Sequence, residues 1–99
     1  MGSTISRAQV RSLVIGVIRA DLGGQVPVRE ISRLGEDLGI SSDRRAGYLI
    51  AISNALADLG LSLNQLGEDD FRGVNRVAEI VDMVLLDIRT PAMPERKAS

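Results

Sequence analysis

What most limits the fold of this chain is the spacing of its aliphatic residues. Val10, Leu13, Val14, Val17, Ile18 and Leu22 recur at steps that line one face of an α-helix and leave Arg7, Arg11 and Arg19 on the other. The spacing predicts a helix from about Thr4 to Leu22, with Ser3 or Thr4 as N-cap. Gly23-Gly24 would stop it, because the first glycine can turn left-handed after the last turn. Gly16 inside this helix costs up to about 1 kcal/mol against Ala, which a close helix crossing would explain. Leu49, Ile52, Leu56 and Leu59, widened by Ala46 and Ile50, predict a second helix from about Asp43 to Leu59 with Gly60 as its C-cap. Its flanks are so uncharged that burial on two sides is expected. Val77, Ile80, Val81, Val84, Leu85 and Ile88 predict a last helix from Arg76 to about Ile88, capped by Asn75 and ended by Thr90-Pro91.

The connections are as informative as the helices. From Gln25 to Ser42 the periodicity breaks, with Pro27, Gly35 and Gly39 as punctuation. A loop of that length in a compact domain is functional or pinned by its own apolar residues. Val26, Val28, Ile31, Leu34, Leu38 and Ile40 would pin this one. Glu68-Asp69-Asp70-Phe71-Arg72-Gly73 reads as one short helical turn whose acidic start suits the helix dipole. The expected fold is all-α: three main helices and a short one in a single domain over residues 1–89. Residues 90–99, with Pro94 and Glu95-Arg96-Lys97, would form a flexible tail.

Composition excludes several kinds of chemistry. The 99 residues contain no Cys, His or Trp, so thiol and imidazole catalysis and zinc-finger ligation are closed to this chain. A 44% hydrophobic content can build one core without such staples. The net charge of −1 argues against a general nucleic-acid binder, which shows a basic stripe. No apolar run approaches the roughly 20 residues that span a bilayer, and Met1 to Arg7 lacks the apolar core of a signal peptide. A cytoplasmic monomer is expected. Glu68, Asp69 and Asp70 are adjacent rather than alternately spaced, so they read as a solvated turn and not a calcium loop. Glu79 and Asp82 are too little for paired-carboxylate catalysis, and Tyr48 reads as packing. No catalytic constellation is present, and an enzyme is not expected.

The order of elements, taken with particular residues, resembles the acyl carrier protein family over nearly the whole stretch from Val10 to Ile88. Glu30 to Ile40, containing Asp37-Leu38-Gly39, is similar to the family's approach to its modification site, where Asp-Leu-Gly, one residue and Asp-Ser-Leu follow one another. Leu59-Gly60-Leu61-Ser62-Leu63, Asp69-Asp70-Phe71 and the run from Val74 to Val84 are similar to the family's second half. The resemblance implies a carrier: a transferase attaches phosphopantetheine to a serine at the start of the second helix, and acyl groups for fatty-acid, polyketide or related biosynthesis ride on its thiol. It also implies a core that shelters an acyl chain, here including Leu49, Ile52, Leu56, Val77 and Ile80. The implied partners are that transferase and the acyl-transfer enzymes.

The sequence departs from the family at the serine itself. Counting forward from Asp37-Leu38-Gly39, Ser41 stands where the family has Asp, Ser42 aligns with the modified serine and Asp43 replaces Leu. Counting back from Gly60, the serine slot falls on Arg45, because the helix is about three residues too long. Ser42 is therefore the expected attachment point and Ser41 the alternative, while simple helix capping explains the same two hydroxyls. Arg44 and Arg45 oppose the dipole at their own helix start, by roughly 0.3–1 kcal/mol. With Asp43 they are candidates for docking an anionic partner, or the two arginines meet a phosphate, unless they pair internally with Glu36 and Asp37. Residues 43–60 carry no net charge, whereas the family presents an acidic second helix. A module that keeps the fold without a prosthetic group, and works through protein–protein contact, is the alternative function.

Overall fold

A computed structural model describes residues 5–89, and these form four helices: α1 (Arg7–Asp21), α2 (Ser42–Ala57), α3 (Glu68–Arg72) and α4 (Val77–Arg89). The all-α expectation of three main helices and one short one holds for these residues. Ser3, Thr4, Thr90-Pro91 and the 90–99 tail lie outside them.

The apolar stripes dictate the packing. Val10, Val14 and Ile18 of α1, Ile52 and Leu56 of α2, Phe71 of α3 and Val77, Ile80, Val81 and Val84 of α4 are fully buried in one cluster. Through it α1 packs against α4 and α2, and α2 packs against α3 as well, so α2 is covered on two sides as its uncharged flanks suggested. Ion pairs lie over the outside of this core. Arg7 bridges Glu30 (2.6 Å) and Asp82 (2.9 Å), joining α1, the first loop and α4. The buried Asp87 carboxylate accepts the Asn64 and Gln65 N–H groups at 2.7 and 2.9 Å, fastening the α2–α3 connection to α4.

Several expectations are corrected. α1 begins at Arg7 rather than near Thr4, because Ser6 and Gln9 form a reciprocal capping box. Gly16 marks no helix crossing: it is exposed, and a Cβ there would meet nothing within 4 Å. Ile50 and Leu59 are exposed and do not belong to the core stripe. Ile50 lies roughly 200° around α2 from Ile52, and Leu59 lies beyond the last helical residue. The C-cap of α2 is Asp58; Gly60, at φ +76°, closes the end by letting Leu61 N–H reach Leu56 O at 2.9 Å.

The long loop is pinned by fewer residues than expected. Val28, Leu34 and Ile40 are buried and Leu38 is partly covered, but Val26 and Ile31 are exposed. Backbone pairing supplies the rest. Arg33 and Arg76 form an isolated antiparallel bridge, flanked by Leu34 N–H to Asn75 O (2.7 Å) and Val77 N–H to Ser32 O (3.2 Å). Ala78 N–H donates to Glu30 O at 2.9 Å. The loop carbonyls thus satisfy the first donors of α4 that were assigned to an Asn75 cap. Asn75 instead donates its own N–H to Glu79 Oε1 at 2.6 Å.

Candidate functional site

The start of α2 is built by the end of the long loop. Gly39, at φ +68°, reverses the chain, and Ile40 is then buried with its N–H donating to Leu34 O at 2.8 Å. That anchor delivers Ser41 in an extended conformation, where its hydroxyl accepts the Arg44 N–H at 3.2 Å and its carbonyl accepts the Arg45 N–H at 3.0 Å. Ser41 is the N-cap. Ser42 is the first helical residue; it is exposed, and among the described residues its hydroxyl makes no hydrogen bond. Asp43 follows, almost wholly exposed, 3.7 Å from Arg72 Nε. The forward-counted register thus puts its serine on the first turn with a free hydroxyl, whereas the backward-counted register lands on Arg45, which has other duties.

Neither arginine meets Glu36 or Asp37; those carboxylates pair with Arg33 at 2.6 and 3.5 Å. The Arg33 N–H also donates to Asp37 Oδ2 at 2.7 Å, and this bond, followed by the Arg33 guanidinium, holds the Asp37 carboxyl below its usual range. Arg44 turns to the end of α1, with Nε 3.1 Å from Asp21 Oδ2 and Nη2 donating to Asp21 O at 3.4 Å. Asp21 Oδ2 also accepts the Tyr48 hydroxyl at 2.8 Å. Burial, and then that bond to a carboxylate, push the Tyr48 phenol above its ordinary pKa. Arg45 turns inward: Nε donates to Ile40 O (3.2 Å), and Nη1 to Arg72 O (3.3 Å) and Val74 O (3.0 Å). Its Nη2 passes so close to Gly35 that a Cβ there would lie 2.8 Å from it. Of the three proposed docking residues, Asp43 and Arg44 stay at the surface and Arg45 is withdrawn.

The sequence reading missed Asp21, Gly35 and Arg76 as neighbours of this region. Asp21 had a faint signal, since a lone carboxylate ends an otherwise basic α1. Gly35 had none, because its role depends on a side chain that arrives from another helix.

The three acidic residues of α3 are occupied structurally. Asp69 and Glu68 pair with Arg72 at 2.7 and 3.8 Å, and Asp70 accepts the Gly67 N–H at 2.8 Å. Among the described residues no cluster of three or more His, Cys, Asp or Glu is arranged to hold a metal ion, and no helix is long and apolar enough to cross a membrane. No family model, curated protein or solved structure matches the chain.

Proposed function

We propose that the chain is an acyl-carrier-like protein of the cytoplasm that accepts phosphopantetheine on Ser42 and carries acyl groups for biosynthetic enzymes. The observation that carries this reading is the division of labour between the two serines. Ser41 does the capping, so the Ser42 hydroxyl is left exposed on the first turn of a 16-residue helix. A phosphodiester there would face the positive end of the α2 dipole. The same core residues named for shelter, Ile52, Leu56, Val77 and Ile80, are fully buried in the core cluster, with Leu49 half-covered.

The test is incubation with coenzyme A and broad-specificity phosphopantetheinyl transferases, read by intact mass. The expected result is one phosphopantetheine-sized gain that persists in Ser41→Ala and vanishes in Ser42→Ala. No gain with any transferase would instead favour the module that works by protein contact alone. Asp43, exposed where the family has an apolar residue, is the specific feature on that side.

A further inference from the structure

Across the bridge that ties the first loop to α4, two arginines face each other. The hydrogen bonds flanking Arg33 and Arg76 make them a pair that exchanges none of its own, the arrangement in which Cα atoms approach to about 4.5 Å and side chains are closest. Like charges directly opposite destabilise such a pair. Arg33 is compensated by Glu36 and Asp37. Arg76 is not: among the described residues no carboxylate lies within 4 Å of it and its side chain makes no hydrogen bond, with Asp37 acting on it only from farther away.

A third guanidinium joins them. Arg45 uses Nε and Nη1 on carbonyl oxygens and, among the described residues, has no carboxylate within 4 Å to act as its counter-ion. Its Nη2 has no acceptor among the described residues, and only the missing side chain of Gly35 leaves room for it. Arg33, Arg45 and Arg76 together line a cavity of about 530 Å³ with Gly35, Glu36, Asn75 and Glu79. Its two carboxylates are already engaged, Glu36 by Arg33 and Glu79 by the Asn75 N–H. The Val77 and Ala78 N–H groups are taken by Ser32 and Glu30. What the cavity has left over is guanidinium donors and positive charge.

We propose that this cavity binds a phosphate-type oxyanion, a phosphomonoester or diphosphate, gripped by Arg76 and Arg45 Nη2. Guanidinium forks match phosphate oxygens two at a time. The ligand would remove the repulsion across the bridge and supply the counter-ion that the half-buried Arg45 lacks. The volume lies within the range of small-molecule sites, roughly 300–1,000 Å³. The site does not depend on modification of Ser42, which is not among its lining residues.

The experiment titrates the full chain with inorganic pyrophosphate and, separately, orthophosphate against sodium chloride at matched ionic strength. It is read by backbone amide shifts and by thermal unfolding. Saturable shifts centred on Gly35, Glu36, Asn75 and Arg76, with a raised Tm, are expected for at least one of the two. Arg76→Ala should weaken that binding by about tenfold or more, since it removes a charge-assisted fork. Arg19→Ala, an exposed cation on α1, should leave it unchanged. Absence of a saturable shift with both anions, unchanged binding in Arg76→Ala, or equal weakening in both variants would overturn the proposal.

Discussion

The Arg45–Gly35 contact supports a sharp prediction. Three of the Arg45 donor contacts go to carbonyl oxygens of residues 40, 72 and 74, and a hydrogen bond involving a charged group contributes about 1.5–3 kcal/mol. The contact to Arg72 O is exposed and the other two are only part-buried, so water can replace part of what the arginine supplies, and Arg45→Ala should cost about 2–3 kcal/mol in total rather than the full sum. Gly35→Ala attacks the same clamp from the other side. The new methyl would sit 2.8 Å from Nη2, and the guanidinium cannot swing away without giving up bonds made by its other nitrogens. Its cost is therefore bounded above by that of losing Arg45, about 2–3 kcal/mol.

Nothing else opposes the alanine, because Gly35 is not among the glycines at positive φ. In an Arg45→Ala background the same substitution should then be neutral or stabilising by about 0.4–1 kcal/mol through the unfolded chain. The cycle of four proteins is measured by urea unfolding. Unequal effects of Gly35→Ala in the two backgrounds, differing by more than about 1 kcal/mol, are expected for residues in contact. If Gly35→Ala costs the same in both to within about 0.5 kcal/mol, the clamp is refuted.

The remaining predictions concern α1 and α2. Ser41→Ala should lower stability by about 1 kcal/mol as a lost N-cap, while Ser42→Ala should change urea unfolding by less than about 0.5 kcal/mol, as an exposed residue without partners. Gly16→Ala and Gly47→Ala each add a Cβ in open space inside a helix and should raise stability by up to about 1 kcal/mol apiece, seen as higher urea midpoints. Tyr48 is the one tyrosine and there is no Trp, so near-ultraviolet absorbance follows its ionisation alone. Its raised pKa means that the folded state holds the proton longer than the unfolded state. Stability should be unaffected by this group below about pH 10 and fall as pH rises beyond it. Tyr48→Phe should flatten that alkaline slope.

How much of this was legible in the sequence depends on who the partner of each residue is. Helix existence was legible because Val, Ile and Leu at three- and four-residue steps bury one face whatever they meet. Even the true start of α1 was written locally, as Ser6 with Gln9 three residues on; the earlier Ser3 and Thr4 lacked that second member. Ile50 was misassigned because being aliphatic near a stripe is not the same as lying within it. The Arg45 contacts could not be read at all. Their acceptors are backbone carbonyls, which every residue has, brought together from two separate stretches of chain, the end of the long loop and the α3–α4 junction. The Arg33–Arg76 bridge was hidden for the same reason, since register between a loop and a helix start leaves no periodic trace.

That distinction also resolves the arginine pair at the head of α2. Judged on their own helix, both residues oppose the dipole. Judged on their neighbours, each stands at a helix C-terminus, where cations are favourable. Arg44 reaches both the carbonyl and the carboxylate of Asp21, the last residue of α1. Arg45 reaches the carbonyl of Arg72, the last residue of α3. Orphan carbonyls at helix ends need such donors, so the cost at one helix start is offset at two helix ends. The arrangement also fastens the first turn of α2 to α1, to the long loop and to the α3–α4 junction at once. A hydroxyl on that turn is held by its surroundings while remaining uncovered, which is what an attachment point at Ser42 requires. With both arginines committed internally, the exposed charges of α2 reduce to Asp43 and the outer side of Arg44, and Ile50 and Asn54 lie exposed beyond them. Under the proposed carrier function, partner enzymes would then meet a nearly neutral helix face. Their association should depend weakly on salt, unlike docking between opposite charge fields.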